Sequence, residues 1–522
     1  MQVTLIKASA DSEFKKYKAS MGGPPQNIFS VAATTPENIQ VELIDETVGM
    51  KVKYNTKSEI IGIFMSTPDA IRAYEIADKF RKKGKVVVLG GLHPTFLPDE
   101  SLLHADAIIR GEAEGCWEQI IKDVENNVLQ KQYKQDEPFD LSKLNPYPTN
   151  IVNMSWYGNI WSVVVGRGCN HGCRYCVVNP FFKSCRFRPI EHVIAEIKQC
   201  GAKLIELHAD NLIANRDYAI SLFKAMEPLN IQWMGEATIM IAEDDELLDW
   251  AVRSGLKYML IGIETPSKEA LESVGKGFID VDNVKKYVKK LQSKGIQLDA
   301  SFLFGFDAHK KNIFQRTLDY AKEVGVDECH GVIMTPFPGT PLYRQMKKKG
   351  RINTEDWSKY DCTHAVFDPI GMTPKELEDG TWWFDVEFHK WQKKNKKVPK
   401  PPVIPPPSPN RSTNSSQSSD SLGSVRSMAF TNPSDFKWRT FLALGLIATS
   451  LFMNWNWIWS VFFLYWAILD IKSGYTFSVE PISRNENPIL YWLIIILWLG
   501  LAIYSIYDVV INLYVDWFYL NL

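Results

Sequence analysis

The chain has 522 residues, a formal net charge of −1 and 45% hydrophobic residues. This length exceeds what one ordinary hydrophobic core organises, so we expect several domains. The near-neutral charge gives no indication of a nucleic-acid partner. Three of the eight cysteines lie within eight residues. This spacing argues against a disulfide framework and indicates a reducing compartment.

The N-terminal part of the chain alternates between strand-like and helical patterns. Short apolar runs occur at 3–7, 59–65 and 85–89, and residues 69–83 have a helical pattern. Strands that alternate with helices favour a parallel sheet covered on both faces. We therefore predict a doubly wound α/β domain over residues 1–140.

A second α/β series begins at Trp161. Its strand-like runs lie at 161–165, 203–207, 257–263, 298–304 and 331–335. Helical patterns such as 245–254 and 282–294 separate these runs. The alternation predicts a βα-repeat domain over residues 151–395, closed or partly closed into a barrel, with its chemistry at the C-terminal ends of the strands.

The C-terminal region has a different composition. Residues 396–435 are rich in proline and then serine, which predicts a disordered linker. The segments 441–469 and 489–507 are uncharged, and the second is about long enough to span a bilayer. We predict a transmembrane hairpin within 436–522 and a membrane localisation, with the catalytic domains on the cytoplasmic side. A buried helical hairpin is the alternative, and Asn454 and Asn456 leave open whether the first segment spans or re-enters.

Three cysteines follow the first strand of the second series. Residues 166–176 read GRGCNHGCRYC, so Cys169, Cys173 and Cys176 have the spacing Cys-x3-Cys-x2-Cys. Thiolates are the usual ligands of iron–sulfur clusters, and a cubane normally takes four of them. Three ligands from one tight loop would leave the fourth iron open to a substrate or cofactor.

A zinc site is the alternative interpretation of these cysteines. It would use the three thiolates with His171 or a distant ligand. Zinc knuckles usually pair two Cys-x2-Cys hairpins, and this sequence contains no second hairpin. The remaining cysteines are scattered, and we expect those near the motif and beyond it to be small buried residues, namely Cys185, Cys200, Cys329 and Cys362.

The spacing, its place after the first barrel strand and Tyr175 before the third cysteine resemble the radical S-adenosylmethionine (SAM) superfamily. The resemblance implies a partial (βα)6 barrel and a [4Fe–4S] cluster whose open iron is chelated by the amino and carboxylate groups of SAM. Reductive cleavage of SAM would give a 5′-deoxyadenosyl radical or support methyl transfer. A flavodoxin- or ferredoxin-type protein would supply the electron.

Further segments resemble the same family. The motifs HADN (208–211) and GIET (262–265) imply SAM contacts by Tyr175, Asp210, Asn211 and Glu264. Helix capping or a salt bridge is the alternative role for Asp210 and Glu264. Residues 304–307 and 335–343 resemble the last barrel strands of the family.

The N-terminal domain resembles the cobalamin-binding domain of class B radical SAM enzymes. The similarity rests on VVVLGGLHPT (86–95) and DAIIRGEAE (106–114), and 22–28 resembles a loop that faces the substrate or corrin. One branch of such domains places a histidine beneath cobalt, but the first histidine here is His93, which we expect to order a loop. The lower face of cobalt would then be open or water-bound. The resemblance implies cofactor contacts by Ser66, Thr67, Gly90, Gly91 and His93, and the alternative is a degenerate domain that binds nothing.

These features together predict a cobalamin-dependent radical SAM enzyme, and specifically a C-methyltransferase acting on an unactivated carbon. A radical oxidative cyclase similar to the anaerobic magnesium-protoporphyrin ester cyclase is the alternative among enzymes. A non-catalytic, membrane-tethered cobalamin or redox sensor is the alternative of another class. The substrate is expected to be a small or lipid-like molecule, and the sequence identifies neither it nor a catalytic acid or base.

Overall fold

The computed structural model describes residues 1–10, 23–135, 137–148, 151, 157 and 160–395, with short stretches at 475–477, 481–483, 492–497 and 499. The chain divides into two compact units, Met1–Ser408 and Pro409–Leu522. The predicted linker and the apolar segment 441–469 lie outside the described residues, as does most of the segment 489–507.

The N-terminal sheet of the first unit has six parallel strands in the order β2-β1-β3-β4-β5-β6. Its strands are β1 Gln2–Lys7, β2 Gln40–Asp45, β3 Ile60–Met65, β4 Val86–Gly91, β5 Ala107–Arg110 and β6 Gln132–Lys134. Its helices are α1 Gln26–Thr34, α2 Ala70–Arg81, α3 Leu92–Phe96, α4 Pro98–Leu102 and α5 Trp117–Glu125.

Both faces of this sheet are covered by helices. Ile61 and Ile63 of β3 pack in one hydrophobic cluster with α2, whereas Ile60 and Phe64 belong to a second cluster with α1 and α5. Successive residues of a strand point to opposite faces, so a strand buried on both sides is apolar along its whole length. This explains the continuous apolar runs and confirms the predicted doubly wound fold.

The second sheet also has six parallel strands, in the order β7-β10-β11-β12-β13-β14. The strands of this region are β7 Ile160–Val164, β8 Gly166–Arg167, β9 Arg186–Phe187, β10 Leu204–His208, β11 Gln232–Glu236, β12 Leu256–Glu264, β13 Gln297–Phe304 and β14 Glu328–Ile333, where β8 and β9 form a separate antiparallel pair. The helices are α6 Val178–Phe182, α7 Ile190–Cys200, α8 Arg216–Met226, α9 Asp245–Arg253, α10 Lys268–Ser273, α11 Val284–Ser293, α12 Ile313–Val324, α13 Pro341–Lys348 and α14 Pro374–Asn395. The sheet follows chain order and confirms the predicted βα repeat.

The segment 335–343 is not a strand, contrary to the prediction. Strand β14 ends at Ile333, and α13 begins at Pro341. Pro336 and Pro338 lack backbone N–H donors and cannot continue a ladder. The Thr340 side chain accepts a hydrogen bond from Tyr343 N over 3.1 Å and caps the helix that follows.

The second unit is described only in part. Strands β15 Tyr475–Phe477 and β16 Pro481–Ser483 form an antiparallel pair, and residues 492–497 are helical. Within the portions of the chain that are described, no helix combines the length and apolar character needed to cross a membrane. The transmembrane hairpin therefore stays a prediction.

Candidate active site

The three-cysteine loop starts where β7 ends, at the C-terminal edge of the second sheet. Cys169, Cys173 and Cys176 are half-buried free thiols. Burial raises the pKa of each thiol, and that of Cys176 reaches about 12 because Cys173, Asp210 and Cys169 also surround it with negative charge. The three sulfurs are therefore electrostatic neighbours in one pocket of the loop.

The donor set is three thiolates of one loop, which suits an iron–sulfur cluster because a cubane binds each thiolate at a different iron. Among the described residues, no group of three or more His, Cys, Asp and Glu side chains is placed to hold one metal ion. The His171 ring stacks on Phe278 with centroids 3.9 Å apart, which occupies the side chain that a zinc site would use.

Backbone contacts fix the shape of this loop. The Asn179 side chain accepts from Cys169 N over 3.3 Å and donates to the His171 carbonyl over 2.5 Å. Gly168 has φ +85°, and a Cβ atom there would lie 2.1 Å from the Ser184 carbonyl. Only glycine fits where the chain just after β8 meets the chain just before β9, so this contact holds the first cysteine in place.

The predicted SAM-contacting residues of the HADN motif lie against this loop. Asp210 Oδ2 accepts from Gly168 N over 2.7 Å, and Asn211 Nδ2 donates to Asn170 Oδ1 over 3.2 Å. Asn211 is buried, and its Oδ1 has no hydrogen-bond partner in the described structure. An orphaned buried oxygen beside the cysteine loop is available to a ligand that donates a hydrogen bond, as the amino group of SAM does.

The predicted Glu264 ends β12 in an unusual backbone conformation. Its φ is +69°, and the register with β13 shifts between Gly262 and Glu264. The bulge turns the carboxylate inward, where it accepts from Tyr175 Oη over 3.1 Å and pairs with Lys276. Burial and the Glu264 charge raise the pKa of Tyr175 well above its usual value. Lys276 was not predicted from the sequence, where the only local signal is its place between two glycines shortly after the GIET motif.

Five predicted cofactor residues lie at the C-terminal edge of the N-terminal sheet. Ser66 donates to Asp69 over 2.5 Å, and Thr67 is buried. A Cβ atom at Gly91 (φ +105°) would lie 2.4 Å from the Met65 carbonyl, and one at Gly90 would lie 2.7 Å from the Phe64 ring. Close packing against β3 thus explains why both positions are glycine.

His93 is fully buried and contacts Glu100 through Nε2 at 3.3 Å. Its ring also packs edge-on against Tyr74 and Trp357. Trp357 donates to Glu100 over 2.9 Å, so this group joins the N-terminal domain to the segment after α13. His93 lies inside a structural contact between two parts of the unit.

The strand order of the N-terminal sheet reverses between β1 and β3. Ligands of open α/β sheets bind at the carboxyl ends of strands on either side of such a switch point. Lys7 ends β1 and forms a buried ion pair of 2.7 Å with Asp69, which follows β3. Asp69 also accepts from Ala10 N over 3.1 Å, so the pair anchors the start of the loop after β1 at the place where a cofactor would bind.

A buried charge network connects the two domains beside the cysteine loop. Arg167 donates to Glu112 over 2.8 Å and to Glu114 over 2.5 Å. Arg186 lies 3.0 Å from Glu112. Both glutamates belong to the segment GEAE, so the motif that indicated the N-terminal domain also positions the cluster loop.

A cavity of about 160 Å³ opens at the ends of β10 and β11. Glu206 and His208 of β10 line it with Glu236 of β11 and Arg167 of β8. Glu206 and His208 form an ion pair of 3.2 Å, and the charge of Glu206 raises the pKa of His208 against the effect of burial. The prediction included His208 only as part of a motif and missed Glu206 and Glu236.

Comparison with known proteins agrees with this architecture. Residues 163–321 match the family model of the radical SAM superfamily. The chain is 29% identical over 365 residues to bacteriochlorophyllide d C-12(1)-methyltransferase of Chlorobaculum tepidum, covering 68% of this chain and 80% of that protein. It is also 29% identical over 388 residues to the C-8(2)-methyltransferase of the same organism, covering 70% and 85%. The anaerobic magnesium-protoporphyrin IX monomethyl ester cyclase of Cereibacter sphaeroides is 25% identical, covering 56% of this chain and 53% of that protein.

Two solved structures share the fold. The radical SAM methyltransferase TsrM of Kitasatospora setae, solved with cobalamin and a [4Fe–4S] cluster, has a TM-score of 0.56 at 14% identity, covering 67% of this chain and 75% of that one. The cobalamin-dependent radical SAM enzyme OxsB, solved with aqua-cobalamin, has a TM-score of 0.51 at 15% identity, covering 68% and 56%. Both sheets of the first unit thus have a counterpart among solved structures.

Proposed function

We propose that this chain, which belongs to the radical SAM superfamily, is a cobalamin-dependent methyltransferase that methylates an unactivated carbon of a small hydrophobic substrate. The observation that carries the proposal is the buried network of Arg167 with Glu112 and Glu114. It fixes the cluster loop to the domain expected to hold cobalamin. Methyltransferase-named relatives at 29% identity extend over both domains.

Some residues of this chain would bind the cofactors, and others would position the residues that do. Cys169, Cys173 and Cys176 would hold the cluster, while Asp210 and Asn211 brace their loop and offer oxygens to SAM. Cobalamin would bind at the carboxyl ends of β1 and β3. When bound, these groups supply a hydrogen-abstracting radical and a transferable methyl group. The protein orients them and excludes water.

The substrate class that the relatives favour is a tetrapyrrole. The bacteriochlorophyllide methyltransferases are named for such pigments, and the sequence independently favours a lipid-like molecule near a membrane. We further propose that 436–522 holds the enzyme at a membrane with residues 1–395 on the cytoplasmic side, and that a flavodoxin- or ferredoxin-type protein supplies electrons.

Oxidative cyclisation is the second candidate function. The relative named as an anaerobic cyclase covers 56% of this chain and is less similar than the two methyltransferases. The two reactions leave different products. Methylation consumes SAM as a methyl donor and forms S-adenosylhomocysteine, whereas cyclisation requires SAM only as a radical source.

The test uses the full chain, purified without oxygen and reconstituted with iron, sulfide and cobalamin. With SAM carrying a trideuterated methyl group and bacteriochlorophyllide d as the probe, we expect S-adenosylhomocysteine, 5′-deoxyadenosine and a product three mass units heavier than its unlabelled equivalent. The Cys173→Ala variant is the matched control and should form none of them. With magnesium-protoporphyrin IX monomethyl ester as a second probe, for which the cyclase relative is named, an unlabelled ring-closed product would establish the cyclase instead. Absence of both SAM products with either probe would overturn the proposal.

A further inference from the structure

Residues of both domains line the cavity at the ends of β10 and β11. The barrel contributes Glu206, His208 and Glu236, and the N-terminal domain contributes Gln26. Gly23 packs so closely here that a Cβ atom would lie 2.6 Å from Glu206 Oε2 and 1.8 Å from Ser162 Oγ. The start of α1 therefore lines one side of the cavity, and Gly23 just before it packs against Glu206.

The ion pair inside the cavity is firmly held. Ser162 donates to Glu206 over 2.8 Å, the Gly23 backbone N–H donates to the same carboxylate, and His208 completes its partners. His208 retains 29% exposure of its side chain, and Glu206 retains 10%. The positions of Glu206 and His208 are thus fixed before a ligand binds, and the His208 imidazole faces the open space of the cavity.

Two polar groups in the same walls lack a protein partner. The Glu236 carboxylate makes no hydrogen bond or ion pair with any residue that the structure describes, although it is exposed to the cavity. Arg167 is only 4% exposed, and its Nε has no hydrogen-bond partner in the described part of the chain. Buried polar groups are normally paired, so Arg167 Nε is a donor without its expected partner. The accessible Glu236 carboxylate adds an acceptor to the same cavity, and the two groups together suit a polar ligand.

We propose that this cavity binds the polar group of the substrate, an uncharged hydroxyl or amide that donates to Glu236 and accepts from an N–H of the cavity wall. The assignment rests on the proposed function, because it deepens the specificity of the same barrel site. When Glu236 is deprotonated, a hydrogen bond to its carboxylate contributes more than one between neutral groups, so Glu236 then dominates the recognition.

The charges around the cavity exclude an anionic group at this position. Glu206 and His208 neutralise each other, so deprotonated Glu236, together with Asp210 in the same lining, supplies the excess charge. Arg167 is already shared between Glu112 and Glu114. A substrate carboxylate placed here would meet like charge without a free cation, so carboxylates of the substrate must point elsewhere.

Small aromatic probes test the site directly, because a cavity of about 150 Å³ holds a benzene ring. The experiment measures the binding of phenol, toluene and benzoate to the full chain with its cluster reconstituted, by ligand-observed NMR titration. Phenol and toluene have nearly the same shape and differ in the hydroxyl. We expect phenol to bind at least about tenfold more tightly than either of the other probes.

Substitutions assign the preference to Glu236. Glu236→Ala should reduce phenol binding to the toluene level, and the isosteric Glu236→Gln should give an intermediate value if the protein folds normally. Glu191→Ala, on the exposed first turn of α7, is the matched control and should bind phenol like the wild type. Equal binding of phenol and toluene, tight binding of benzoate, or a Glu236→Ala variant with unchanged phenol affinity would each overturn the assignment. Failure of label transfer by the wild type, with the phenol preference intact, would instead overturn the methyltransferase proposal alone.

Discussion

Arg167 Nη1 donates to Glu112 Oε1 over 2.8 Å and so joins the residue two positions before Cys169 to the N-terminal domain. Both side chains are about 95% buried, and the same guanidinium pairs with Glu114. Removing one partner of a buried ion pair leaves the other charge buried without compensation. The resulting loss of stability exceeds the stabilisation that the intact pair provides.

The Arg167→Ala substitution should therefore lower the free energy of unfolding by about 3–5 kcal/mol and reduce iron incorporation. Urea unfolding and iron analysis after reconstitution measure the two effects. Arg216→Ala removes an exposed arginine that pairs with Asp244 and Glu246, and this control should cost less than about 1 kcal/mol. Similar losses for the two variants would contradict a role of the buried network.

Iron content tests the three-cysteine loop. Cys173→Ala should abolish the brown colour of the reconstituted protein and SAM cleavage together, because a three-ligand site loses one ligand. Cys200→Ala changes a half-buried thiol at the end of α7 and should retain about four irons per chain. Purified protein with stoichiometric zinc and no iron would refute the cluster.

Stability should depend on pH through Glu236. Burial raises the pKa of this carboxyl to about 7; His208 opposes the rise, and Asp210 and Glu206 add to it. Arg167 is the other charged group that lines the cavity. The unfolded chain releases this proton near pH 4.3, so the stabilising contribution is complete below that pH and is lost as the pH rises through about 7.

Glu236→Gln cannot lose this proton, so its Tm should rise relative to that of the wild type between about pH 5 and pH 8. Differential scanning fluorimetry across this range gives the Tm difference at each pH. Glu191→Gln is the matched control, with a Tm difference that stays constant. The same constant difference for Glu236→Gln would argue against a raised pKa.

The sequence predicted the strands of this barrel better than the chemistry inside it. The run 203–207 was identified as a strand, and strand periodicity places Glu206 and His208 on one face, but no pattern shows that β11 brings Glu236 opposite them. Strand β11 itself, QWMGE, has neither a β-branched residue nor a clean alternation. The cysteine loop was predictable because its spacing is local, whereas the cavity depends on pairing between distant strands.

The same distinction applies to the N-terminal domain. The two glycines that end β4 were expected to admit a cofactor, yet their closest neighbours are Phe64 and the Met65 carbonyl of β3. The expectation that His93 orders a loop came from its place in the family motif. Its contact with Trp357 joins residues more than 250 positions apart, which no local pattern specifies.

Bound cobalamin should show no nitrogen ligand from the protein. The first loop after β1 contains no histidine, and His93 is fully buried between Glu100, Tyr74 and Trp357. We expect a base-off spectrum and a Co(II) EPR signal without histidine hyperfine splitting. His93→Gln should lower Tm but leave that signal unchanged, and nitrogen splitting that disappears in this variant would show that His93 reaches cobalt.

Truncation tests why the chain continues beyond the catalytic unit. The unit Met1–Ser408 contains both sheets, so a variant that ends at Ser408 should keep its cluster and cleave SAM without substrate. The predicted linker has about forty residues and an r.m.s. reach of roughly 35 Å, comparable to a domain diameter. Such a tether would hold the barrel mouth near a bilayer and raise its encounter rate with a lipid-soluble substrate.

For a membrane-resident substrate, the truncated variant should form much less product in cells than the full chain at equal expression, although its SAM cleavage in solution is unchanged. Quantification of product in extracted lipids and pigments, with cluster content measured in parallel, separates loss of encounter from loss of the active site. A fusion of the truncated variant to an unrelated membrane anchor should restore product, because proximity rather than a specific contact is required. Full product formation by the truncated variant would mean that the substrate reaches the barrel from solution.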